Sequence, residues 1–161
     1  MNNAIRKSPS TFLTSLSTLF LNIETWVASD EHGLSIHKSE CLLDEEEYGV
    51  YSAPQLTILN ANGDKIAEVI PVAASVLGAN GRVDIKGRYD NVTILDLNKG
   101  GPQINGLVAE RGHPFIRTTP LYKGIDEAGW YWIEHKFSSK GHLLTRELFF
   151  EILDDVCEYA Y

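Results

Sequence analysis

Asn62-Gly63 lies between two runs of alternating apolar residues, and no other feature limits the fold of this chain as strongly. An Asn-Gly pair supplies positive φ at little steric cost, which a tight β-hairpin turn requires. With these two as the central turn residues, Ile58 faces Ala67 and Leu56 faces Val69 on one side of a hairpin, while Thr57 meets Glu68 on the other. One side is apolar and the other mostly polar, so turn chemistry and hydrophobic pattern select the same register. The triplet Ala-Asn-Gly returns at 79–81, followed by an alternating strand over 83–86, a turn at Arg88-Tyr89-Asp90-Asn91 and a second strand over 92–97. The spacing predicts successive hairpins in one antiparallel sheet.

Helices are predicted at both ends of this meander. Phe12, Leu13, Leu16, Leu19, Phe20, Ile23, Trp26 and Val27 recur every three or four residues, the period of an amphipathic helix. Ser8 or Ser10 is placed to cap it, and Pro9 suits its first turn. Its other face is polar but nearly uncharged (Thr14, Ser17, Thr18, Asn22, Thr25); the helix reads as a core cover, with packing of this polar face on a partner or on a second copy, as a homodimer, the alternative. A final helix opens with Thr145 as N-cap, with Leu144 and Phe149 placed as a hydrophobic staple. At 100° per residue, Leu148, Phe149, Ile152, Leu153, Val156 and Ala160 fall on one face. Glu147, Glu151, Asp154, Asp155 and Glu158 gather on the reverse, in a ridge about 16 Å long.

Between the helices the pattern is uneven. Residues 28–49 read as loop with one short strand at 34–37, and the run Asp44-Glu45-Glu46-Glu47 reads as solvated charge. From 98 to 129 glycines and prolines interrupt the pattern, with short strands at Leu107-Val108 and Phe115-Ile116. A strand follows from Trp130. Tyr131, Ile133, His135 and Phe137 form its expected core side; Trp130 and Trp132 fall opposite, as a contact patch unless a helix covers them too.

The fold class that follows is α+β, an antiparallel meander of about five to seven strands flanked by an N-terminal and a C-terminal helix, in one domain spanning 1–161. The formal charge of −8 is concentrated in residues 44–47 and in the last sixteen residues, while the remaining acids and bases cancel. Concentrated acidity marks a surface suited to a basic partner and argues against binding a nucleic-acid backbone. No stretch approaches the roughly 20 apolar residues of a membrane span. Two distant cysteines, Cys41 and Cys157, fit a reducing, cytoplasmic setting better than a disulfide scaffold.

Motifs of catalysis are sparse. The sequence contains no phosphate-binding glycine loop, nucleophile elbow or zinc-protease helix. Its five histidines lack the paired spacing of a zinc site, so neither metal nor cofactor is expected. Acidic neighbours make Cys157 a poor nucleophile. Glu134-His135-Lys136 matches half of a metal-dependent nuclease core, but three residues are too few to specify a site, and a cross-strand ion pair is the simpler reading. The functional expectation is a non-enzymatic acidic interaction module that binds a basic partner surface through Glu147, Glu151, Asp154, Asp155 and Glu158, with Trp130 and Trp132 as aromatic candidates. The alternative is a small-ligand or enzymatic pocket built by the 98–129 loops.

Overall fold

A computed structural model describes residues 7–135 and 138–157. Lys136, Phe137, Glu158 and Ala160 therefore lie outside the described residues. Helix α1 (Ser10–Ala28) is followed by strands β1 (Ser35–Glu45), β2 (Gly49–Leu59), β3 (Lys65–Ala73), β4 (Gly81–Gly87), β5 (Asn91–Leu97), β6 (Gln103–Glu110), β7 (His113–Pro120), β8 (Gly129–Glu134) and β9 (Lys140–Leu143), then helix α2 (Arg146–Cys157). Seven strands form one antiparallel meander in the order β1-β2-β3-β4-β5-β8-β9, and β6 and β7 pair only with each other. The α+β meander flanked by terminal helices is the architecture expected from the sequence.

The β2–β3 register is the predicted one: Ile58 opposes Ala67, Leu56 opposes Val69 and Thr57 opposes Glu68. The turn itself sits one residue earlier than expected. Gly63 N donates to Asn60 O, placing Ala61 and Asn62 in the centre, and Gly63 takes φ +82° after them. A bulge beside Leu59 absorbs the offset, so the side chains beyond it keep the faces that burial demands.

Residues of successive strands line up in rows across the helix-facing side of the sheet. One row runs Pro71, Val83, Ile94, Trp132 and His142; the next runs Leu56, Val69, Ile85 and Val92. Phe12, Leu16, Leu19, Phe20, Ile23 and Val27 of α1 and Phe149, Ile152, Leu153 and Val156 of α2 bury against these rows in a single core. Both helices therefore cover the same side. On β8 a helix does cover the tryptophan side, and Trp130 belongs to that main core. Tyr131 and Ile133 are buried as well, but on the far side, in a smaller cluster with Leu97 and Ile125.

Several local details differ from the sequence reading. Pro9 occupies the N-cap of α1, and among the described residues no side chain caps that helix. Thr18 and Thr25 donate to Thr14 O and Leu21 O one turn back, so these hydroxyls are satisfied within α1 itself. The cap of α2 is as expected: Leu148 N donates to Thr145 Oγ1 at 3.2 Å, and Leu144 and Phe149 are buried. Residues 35–45, read mostly as loop, are a full edge strand paired along its length with β2. Polar and charged side chains along its exposed edge hide the strand from a hydrophobicity reading. Among the described residues, no helix is long and apolar enough to cross a membrane.

Candidate functional site

The β5–β8 ladder runs from Leu97 opposite Gly129 to Ile94 opposite Trp132, and stops there. Beyond that point α2 lies over the gap between the strands, leaving a groove of about 520 Å³. Val92, Trp132, Leu148 and Ile152 supply its apolar lining; Asp90, Glu151 and Asp155 bring three carboxylates to it, and His135 also borders it. Trp132 is held from one side by His142, stacked at 5.3 Å between ring centroids, and His142 Nε2 lies 3.0 Å from Glu134 Oε2. Glu134 is thus engaged across the β8–β9 hairpin.

The groove joins two features that the sequence placed on separate elements. Glu151 and Asp155 come from the acidic ridge, while Trp132 comes from the tryptophan pair. Residue 155 is one helical turn beyond 151, so both carboxylates point the same way over the strand gap. Glu147 and Asp154 are also exposed, but they do not line the groove. Among the described residues, none of these four acids forms an ion pair. Trp130 lies elsewhere: it is buried against Phe12 of α1, and its indole Nε1 donates to Ser15 O at 3.4 Å. It therefore offers no contact patch. Asp90, Val92 and His135 are groove residues that sequence reasoning missed, because they adjoin Trp132 only through the splay of β5 from β8.

The other acidic block has a structural task that composition does not reveal. Glu45 accepts hydrogen bonds from Tyr51 Oη and from the backbone N of Ala74 and Ser75, pinning the β3–β4 connection to the end of β1. Burial, followed by the Glu45 bond, pushes the Tyr51 phenol above its ordinary range. Glu47 pairs with Lys7 at 2.9 Å and accepts from Ser75 Oγ. The run expected to be simply solvated is half occupied in holding a loop. On the far side of the sheet, Asp84 is buried and takes a bidentate bond from Arg82, with Asn91 and Thr93 completing its shell.

The stretch 98–129 contributes little to any concavity near the tryptophans. Asn98, Gly101 and Pro102 border a shallow depression of about 290 Å³ with Gly78, Ala79 and Asn80. The rest of the stretch is chiefly the β6–β7 hairpin. Among the described residues, no three His, Cys, Asp or Glu side chains gather as a metal site.

Two titratable groups lead to direct tests. Cys157 is buried, its thiol donates to Ile66 O at 3.1 Å, and burial first, Asp154 second, push its pKa up to about 11. Cys41 is only half-buried. A thiol reagent should label one site per folded chain, lost in Cys41→Ser, and reach the second only on unfolding; quantifying labelled peptides by mass spectrometry checks this.

Asp96 lies under α1 and accepts from Ser15 Oγ at 2.8 Å; burial raises its pKa above the ordinary 3.8, while the Ser15 bond opposes the shift. With the folded value above the unfolded one, ionised Asp96 costs stability at neutral pH, and that cost fades as pH falls through the raised value. Asp96→Asn should therefore melt higher than the parent at pH 7, with the difference closing on acidification, as followed by circular dichroism. Compared with protein-family models, with curated proteins and with solved structures, the chain gives no match.

Proposed function

We propose that this protein is a non-enzymatic acidic interaction module that receives a basic side chain or segment of a protein partner in the groove between α2 and the β5–β8 splay. The observation that carries this reading is the meeting of Glu151, Asp155 and Asp90 with Trp132 in one concavity. Acids on an open helix face act weakly, because water and salt screen them. Acids at the rim of an apolar groove act in a lower dielectric, and an indole beside them adds the attraction of an aromatic ring for a cation. A lysine or arginine is matched to both parts, its alkyl stem to Val92, Leu148 and Ile152 and its head to the carboxylates. An unfavourable run of like charges near the C-terminal end of α2 is also easier to understand if a partner neutralises it. Two unbridged cysteines suit a cytoplasmic setting for this role.

The test is a calorimetric titration of the full chain with a lysine- and arginine-rich peptide. Saturable binding is expected at low salt, weakening at least tenfold at about 0.5 M salt, where the screening length falls to a few ångströms. No heat of binding at low salt, or binding indifferent to salt, would overturn the reading.

A further inference from the structure

The β6–β7 hairpin is an arm whose exposure calls for a cover. It closes through Arg111 (φ +50°) and Gly112 (φ +79°), a two-residue turn with both central residues at positive φ, as tight hairpins prefer. Eight residues per strand make it roughly 26 Å long. Among the described residues, nothing covers either broad face. Leu107 and Ile116, paired across the ladder, are 79% and 71% exposed, while Phe115 and Ile104 are exposed on the opposite face. A two-stranded hairpin bare on both faces is marginal in water, and apolar side chains collected on it mark a contact surface.

Charge indicates what covers the arm. The arm carries Arg111 and Arg117 against one acid, Glu110, and Lys99 and Lys123 flank its base, in a chain whose net charge is −8. All four bases are exposed. The complement of a basic apolar blade is an apolar groove with an acidic rim, which is the groove at α2. The two features also lie at opposite ends of β5: the groove takes Asp90–Thr93 at its start, and the arm departs after Leu97 at its end. An intramolecular match would need the arm to fold back along the sheet. Two copies side by side and antiparallel instead bring each arm to the other's groove, a closed two-fold arrangement. Face-to-face packing of two arms alone would fall well short of the roughly 1,000 Å² that a specific interface needs, and would set like charges together. Reciprocal docking instead covers each arm with the body of the other copy and sets opposite charges together.

We infer that a second copy of this chain is the occupant, each arm packing against α2 of its partner and placing an arginine of the arm in the partner's acidic groove. The inference rests on the groove being the cation-receiving surface proposed above. Full-length protein should behave as a salt-sensitive dimer in sedimentation velocity at about 100 µM. Leu107→Asp with Ile116→Asp should give a monomer whose circular dichroism is unchanged. Arg111→Glu with Arg117→Glu, and separately Glu151→Lys with Asp155→Lys, should each weaken self-association by about 100-fold.

Mixing the last two double variants supplies the decisive result. An acidic arm then meets a basic groove, and a basic arm an acidic groove, so a heterodimer should return although neither variant pairs with itself. A parent chain that stays monomeric, a mixture that does not associate, or a dimer indifferent to the groove reversal overturns the inference. The lysine- and arginine-rich peptide separates this from failure of the underlying reading. Peptide binding to a monomeric parent leaves that reading standing and removes the dimer. A heterodimer restored by the charge swap, with peptide bound by the Leu107→Asp, Ile116→Asp monomer whose groove no arm occupies, supports both; no peptide binding by that monomer overturns both.

Discussion

Replacing Gly87 by alanine should destabilise the protein by about 3 kcal/mol, although it adds a single methyl group. Gly87 ends β4 opposite Ala67 and faces the last described turn of α2. A β-carbon there would stand 2.2 Å from Val156 O, 2.5 Å from its carbonyl carbon and 2.8 Å from its Cβ. Two of those three atoms are backbone, so no rotamer change relieves the clash and the helix must move. It is not free to move. Tyr89 N donates to Val156 O, the Cys157 thiol donates to Ile66 O, and Phe149, Ile152 and Leu153 are buried in the main core. Gly63→Ala is the useful contrast: an added Cβ there meets nothing within 4 Å, and only the positive φ is penalised, at roughly 1 kcal/mol. Chemical denaturation of the two variants should show a clear gap in midpoint with similar slopes. Equal loss in both would mean that α2 is not held against β4 as described.

The contrast between these glycines also shows where sequence reading succeeds. Register over 56–58 and 67–69 was legible because turn chemistry and side-chain alternation are both local, and both must agree for either face to be buried. The α2 cap and staple were legible for the same reason. The β6–β7 arm was legible only in part: the expected short strands at Leu107-Val108 and Phe115-Ile116 lie within β6 and β7, but their full length and their pairing were not legible. Its turn is Arg-Gly rather than Asn-Gly, Pro114 and Pro120 interrupt β7, and apolar residues stand on both of its faces, so no in-and-out period exists to be read.

Both sides of β8 are buried, one under α1 and the other under residues 122–125; alternation says which residues share a face, not which face a helix will cover. The candidate site was legible only in halves. Glu151 and Asp155 followed from helical geometry and Trp132 from composition, but their meeting depends on where the β5–β8 ladder ends. That ending is a property of two strands separated by the whole arm.

Glu151→Lys with Asp155→Lys should weaken binding of a lysine- and arginine-rich peptide by about 30- to 100-fold, whereas Glu147→Lys with Asp154→Lys should cost only a few-fold. Both pairs reverse two charges on the same helix, so their effects on net charge are identical. They differ in position: Glu151 and Asp155 line the groove, and Glu147 and Asp154 do not. A charge at the rim of an apolar groove interacts with a bound cation at close range, worth about 1 kcal/mol or somewhat more each on reversal, while a charge elsewhere on the helix acts through screened solvent. The fold should not suffer. All four residues are exposed, and a lysine at position 155, near the C-terminal end of α2, complements the helix dipole better than the native aspartate does. The melting temperature of the groove variant should therefore equal or exceed that of the parent while binding is lost. Trp132→Phe keeps an aromatic ring with a weaker attraction for cations and should fall between the parent and the groove variant. Equal losses from the two charge pairs would reduce the acidic helix to a diffuse field and remove the groove as a site.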